Sequence, residues 1–155
     1  MRKLLATLSV FCIFLGCGFK PIYKIASDDT NIKGYSVEIT NQVAREIIEE
    51  VNSTIVQGVN QNYKALLNIY EDLTPLIVNT NGTVAKYRIE IEIKYELLQI
   101  DNDEVISKGT TRGFAQYDVT SSEIVNEDTK KSMTKIATKN AIQLMASRIQ
   151  SSISR

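Results

Sequence analysis

Between Tyr87 and Leu97 the chain alternates without a break. Tyr87, Ile89, Ile91, Ile93, Tyr95 and Leu97 fall on one side, and Arg88, Glu90, Glu92, Lys94 and Glu96 on the other. Successive side chains of a strand point to opposite faces, so this segment has one face on a core and the other in water. Its neighbours follow from the flanking residues. Asp101-Asn102-Asp103 turns the chain, and Val105 to about Val119 returns as a partner strand, with Gly109 and Gly113 expected as bulges. Ahead of it, Asn79-Thr80-Asn81-Gly82 sets Asn-Gly between apolar runs, a strong hairpin signal. Tyr63 to Tyr70 reads as the strand before that, with Pro75 expected to interrupt it before Leu76-Ile77-Val78.

Two stretches change to a helical period. Tyr35, Val37 and Ile39 alternate with Ser36, Glu38 and Thr40 as a first strand. From Asn41 onward Val43, Ile47, Val51 and Ile55 recur every four residues, predicting a helix over about 41 to 57 with Gly58 as its stop. Thr120-Ser121-Ser122-Glu123 has capping-box spacing, with Glu123 expected to reach back to the Thr120 amide. Beyond it Met133, Ile136, Ala137, Asn140, Ala141, Leu144, Met145, Ile149 and Ile153 trace one side of a long helix, Asn140 being the one polar member. The expected fold is α+β: two helices packed on one face of a four-stranded, mainly antiparallel sheet, in the order β-α-β-β-β-α.

The N-terminal segment has a different character. Arg2 and Lys3 precede an apolar run from Leu4 to Leu15, too short to span a bilayer, which needs roughly 20 residues. It has the size of the apolar region of a secretory signal. The run ends in Leu15-Gly16-Cys17, a small residue directly before a cysteine, where lipoprotein signal peptidase cuts; Phe14 stands where leucine is usual. Residues 1–16 are therefore expected to be a removed signal peptide, with lipid on Cys17. Residues 17–34, polar and irregular with Pro21, Asp28, Asp29 and Gly34, are expected to be a tether, and residues 35–155 a single domain. Each buried CH₂ of an acyl chain contributes about 0.8 kcal/mol, so several chains anchor firmly. Gly18, not aspartate, follows the cysteine, which favours the outer membrane. Cys12 leaves with the signal, so no pair remains to form a disulfide.

Charge and residue types exclude much else. The chain has 18 basic and 18 acidic residues, and loss of Arg2 and Lys3 leaves it slightly acidic, which argues against nucleic acid. There is no histidine, which removes histidine acid–base catalysis, Ser-His-Asp triads and His-ligated metal sites. Glu90, Glu92 and Glu96 read as a solvated ladder between Arg88 and Lys94, not as paired catalytic carboxylates. Asp101-Asn102-Asp103-Glu104 lacks the spacing and glycine of a calcium loop. No enzyme, catalytic residue, cofactor or metal is expected.

Residues 16 to 23, GCGFKPIY, resemble the start of mature LPS-assembly lipoproteins, the LptE or rare lipoprotein B family. Residues 76 to 101, LIVNTNGTVAKYRIEIEIKYELLQID, are similar to that family's central hairpin. Residues 113 to 149 are similar to its last strand and closing helix. The resemblance implies a two-helix, four-strand fold and an outer-membrane lipoprotein on the periplasmic side, plugging the LptD β-barrel and aiding its assembly. It also implies non-covalent lipopolysaccharide binding, in which basic and polar groups meet lipid A phosphates. The places where the family's basic lipopolysaccharide contacts fall hold Thr80 and Asn126 or Glu127 here, leaving Lys86, Lys130 and Lys131 as nearby candidates. The competing reading is a lipid-anchored auxiliary subunit of another envelope machine, such as an ABC lipid transporter.

Overall fold

The computed structural model describes residues 34–55 and 61–153. Six elements follow in the order β1 (Gly34–Ile39), α1 (Arg45–Thr54), β2 (Gln61–Val78), β3 (Val84–Gln99), β4 (Glu104–Asp118) and α2 (Glu123–Ile153). The strands form one sheet in the order β1-β2-β3-β4. The β2–β3 and β3–β4 pairs are antiparallel, while β1 runs parallel to β2, a pairing that needs the intervening crossover in which α1 lies. The expected α+β class and element order hold, and the sheet is mixed by this one pair.

The alternation in β3 does what it predicts. Ile89, Ile91, Ile93 and Leu97 have no exposed surface. They meet Leu67 and Ile69 from β2, Ile47 and Val51 from α1, and Ile142, Met145 and Ile149 from α2 in one core. The helices are tied to each other at the surface, where Lys135 Nζ lies 3.0 Å from a Glu49 oxygen that belongs to α1.

Several local expectations change. Pro75 does not break β2, which runs 18 residues from Gln61 to Val78. Thr40 N donates to Leu67 O, so Leu67 turns its polar backbone groups toward the β1 side, and alternation brings Ile69, Glu71, Leu73 and Pro75 to that same edge. Beyond the end of β1 that edge needs no amide, so the missing N–H of proline costs no ladder bond. The irregularity appears as register shifts from Pro75 to Val78.

α1 spans residues 45–54, not 41–57. Asn41 is used otherwise: its Nδ2 donates to Ile69 O at 2.7 Å and its Oδ1 accepts from Ile69 N at 3.0 Å. One side chain thus imitates the next residue of a strand and closes the β1–β2 ladder. Asn41→Ala leaves both Ile69 groups unpaired, and a loss of about 1–2 kcal/mol is expected in urea unfolding. Gly58, the expected stop, lies outside the described residues.

Gly109 and Gly113 are not bulges, since both sit in regular register opposite Tyr95 and Ile91, and the β3–β4 shift falls at Leu97/Leu98. Each gives way to a neighbour. A Cβ on Gly109 would lie 2.9 Å from the Tyr95 hydroxyl, and one on Gly113 would lie 1.9 Å from the Ala137 carbonyl oxygen. Gly113 lets the backbones of β4 and α2 touch.

α2 is rotated from its expected stripe. Thr134, Ala137, Thr138, Ala141, Ile142, Met145, Ile149 and Ile153 are buried, while Ile136 and Leu144 are 44% and 50% exposed. The two threonines satisfy their hydroxyls within the fold: Thr138 donates to Thr134 O at 2.8 Å and Thr134 to Glu71 at 3.1 Å. Asn140 lies outside the buried stripe and donates to Phe114 O at 3.4 Å, and Arg148 donates to Thr110 O at 2.7 Å. Helix side chains thereby occupy carbonyls on the free edge of β4. The expected capping box does not form: Ser122 precedes the helix and its Oγ accepts from Val125 N at 3.5 Å, while Thr120 N donates to Asn126 Oδ1 at 2.7 Å and Asn126 Nδ2 to Thr120 O at 2.9 Å. The amide of Asn126 supplies both donor and acceptor, which the Glu123 carboxylate cannot.

Candidate functional site

β2 and β3 continue beyond β1 to a turn at one end of the sheet. Asn79 N donates to Thr83 O at 2.8 Å, and Gly82 N to Asn79 O at 2.9 Å. Gly82 has φ +84°, the left-handed conformation that closes a three-residue hairpin loop. Asn81 Oδ1 accepts from the Thr83 amide at 3.0 Å and its hydroxyl at 2.7 Å, so the tip is internally bonded with Thr80 on it. The Asn-Gly signal is borne out as a hairpin.

The helix entrance lies at the same end. Val119 N donates to Ala85 O at 2.9 Å, and the Tyr87 and Tyr117 rings stack at 5.6 Å beneath the first half of α2. Burial pushes the Tyr117 hydroxyl up from its usual range, followed by its neighbours Tyr87, Glu127 and Glu71.

This end carries the lysines singled out from the sequence, but it does not join them into a cationic site. Lys86 is paired with Asp118 at 3.2 Å and Lys131 with Glu127 at 3.8 Å. Lys130 makes no ion pair among the described residues. Glu71, Asp72, Glu123 and Asp128 add further negative charge, so acids outnumber bases here. Asn126 is committed to Thr120. Cys17 lies outside the described residues.

Sequence reasoning missed the apolar surface of this end. Every residue from Glu71 to Thr83 is exposed, including Leu73 (37%), Leu76 (41%), Ile77 (49%) and Val78 (57%). At the helix start Ile124 is 77% exposed and Val125 49%. The run Leu76-Ile77-Val78 was visible in the sequence, but whether it is covered depends on where β1 and α1 stop.

The sheet's outer face carries the expected charge ladder. Arg112 reaches Glu92 at 2.6 Å and Glu90 at 3.2 Å, and holds the Glu92 carboxyl below the usual carboxylate range through its hydrogen bond. Arg88 stacks on Phe114 at 4.1 Å, and its Nε is buried without a hydrogen-bond partner among the described residues. An open groove of about 470 Å³ runs over Leu66, Asn68, Lys94, Glu96, Lys108 and Thr110. Among the described residues no group of three or more Asp, Glu, His or Cys is placed to hold a metal, and no helix is long and apolar enough to cross a membrane.

Fold and surface together define a two-layer α+β domain whose distinctive feature is a bare hairpin beside a helix entrance. The LptE family model, described as Lipopolysaccharide-assembly, matches residues 19–153. The chain belongs to that family of lipopolysaccharide-assembly lipoproteins. Solved structures agree on the fold. A lipoprotein from Caulobacter crescentus CB15 superposes with a TM-score of 0.59 at 16% identity, covering 76% of this chain and 90% of that one. Lipoprotein B from Nitrosomonas europaea gives 0.51 at 13% identity, covering 78% and 85%. No curated protein matches the chain in sequence.

Proposed function

We propose that the chain is exported, cut after residue 16, lipidated on Cys17 and held on the periplasmic side of the outer membrane. Residues 17–34 serve as tether, and the domain of residues 35–155 acts as plug and assembly partner of an LptD-type β-barrel during lipopolysaccharide transport. It works by non-covalent contact and carries out no reaction. The observation that carries this reading is the family match over residues 19–153, which begins two residues beyond the expected lipidation site. The mixed charges of the outer sheet face suit a polar barrel lumen.

Lipopolysaccharide contact is the secondary part of the proposal. An anionic headgroup must compete with Asp118 for Lys86 and with Glu127 for Lys131, which leaves Lys130 as the least encumbered candidate. Barrel partnership needs no such competition.

Two measurements test the reading. Tagged, lipidated protein pulled from solubilised membranes is expected to bring an LptD-like barrel in about equal amount, identified by mass spectrometry. Recovery alone, or with an inner-membrane transporter, would favour the auxiliary-subunit reading instead. Cys17→Ala is expected to abolish incorporation of labelled fatty acid and to leave residues 1–16 attached, because the peptidase acts on the lipidated cysteine. A variant that still takes up the label would refute lipidation at that residue.

A further inference from the structure

We infer that the exposed apolar side chains of the distal hairpin arm, Leu73 and Leu76 to Val78, form a docking surface for a folded protein wall that is apolar where it meets them and basic beside them. This rests on the barrel-partner reading and names one surface by which the chain meets the barrel.

Three observations carry it. First, the hairpin arm is unsupported on the β2 side. From Glu71 to Val78 the strand has β3 on one edge and no strand on the other among the described residues, and all eight residues are exposed. Over these residues, about 25 Å of chain, β2 is the bare edge of a sheet in which β3 stays paired to β4 as far as Lys86. The arm nevertheless keeps a bonded turn and apolar side chains that the domain does not cover. Such a patch is what an interaction site presents, and the exposed Ile124 and Val125 lie at the same end of the fold.

Second, the occupant does not pair with the edge as an added strand. Asn41 closes the ladder at Ile69, and the next outward backbone positions are Glu71, Leu73 and Pro75. Pro75 offers no donor, and register shifts follow at once. Only the amides of Glu71 and Leu73 remain, too few for a stable added strand. The partner therefore packs on side chains.

Third, this end of the fold is acidic. Asp72 lies in the arm itself, Asp118, Glu123, Glu127 and Asp128 lie at the same end of the fold, and two of the lysines there are already paired. That charge complements arginine or lysine on a protein surface.

The test uses full-length lipidated protein in native membranes. A photoreactive amino acid at position 77 is expected to cross-link to the LptD-type barrel. Cross-links to lipopolysaccharide or to a second copy of this chain would overturn the inference. Leu76→Ser with Ile77→Ser and Val78→Ser is expected to lower barrel recovery about tenfold or more with an unchanged melting temperature. Glu123→Lys with Asp128→Lys is expected to lower recovery further at low salt than at high salt; increased recovery would overturn the assignment of basic groups to the wall. If wild type brings no barrel, the partnership reading fails and this inference with it. If wild type and the triple serine variant bring it equally, only the docking surface is wrong.

Discussion

Gly113→Val is expected to cost about 3 kcal/mol in urea unfolding, at the upper end of what overpacking does. The reason lies in what the new side chain would strike. Its Cβ alone would sit 1.9 Å from Ala137 O, 2.6 Å from Ala141 N and 3.0 Å from Ala137 C. All three are backbone atoms of α2, so no rotamer change relieves them and the helix must lift. Lifting it strains the buried bond from the Thr111 hydroxyl to Ala141 O, 3.1 Å long, and loosens Ala137 and Ala141 from the sheet. Gly109 is the internal control. There the obstacle is the Tyr95 side chain, nearest at its hydroxyl, which can turn away. Gly109→Ala should therefore cost under about 1 kcal/mol. Equal losses at the two glycines would show that helix–strand contact is not what Gly113 serves.

These glycines mark where sequence stopped being informative. The strand from Tyr87 to Leu97 was legible because its period is local: alternation alone says which residues are inside. The hairpin was legible for the same reason, since Asn-Gly acts within four residues. Gly109 and Gly113 suggested bulges because a strand glycine has more than one use. Which use applies depends on the element above it, here α2 some 25 residues later. Pro75 misled in a similar way. Its cost depends on whether a neighbouring strand needs its amide, and β1 ends before reaching it.

The long helix failed for a chemical reason. Thr134 and Thr138 are buried with bonded hydroxyls, so a hydropathy stripe passes them over, while Ile136 and Leu144 face out. At the candidate surface, the three lysines could be found by position along the chain, but not the acids that occupy them. Lys86 meets Asp118 only through the β3–β4 register, 32 residues apart in sequence. The bare hairpin was hidden likewise, because exposure is set by where its neighbours stop.

Ile91→Ala is expected to cost about 3–4 kcal/mol, measured by urea or thermal unfolding of the domain. Ile91 sits mid-strand in β3 with no exposed surface, between Glu71 on β2 and Gly113 on β4. Its side chain lies under the helices, and the described residues contain no cysteine to staple the layers if it is cut back. Rigid backbone on both sides keeps the site from collapsing, which places the loss in the upper half of the usual range. The same packing makes a sharper test possible. Gly113 is the cross-strand neighbour of Ile91, so the hole left by Ile91→Ala gives α2 room to slide over β3 when a methyl is added at Gly113. The double variant Ile91→Ala with Gly113→Ala should then lose less than the sum of the single losses, by at least about 0.5 kcal/mol. Strict additivity would mean that the helix is held in place by contacts elsewhere along its length, and that Gly113 does not fix where α2 lies.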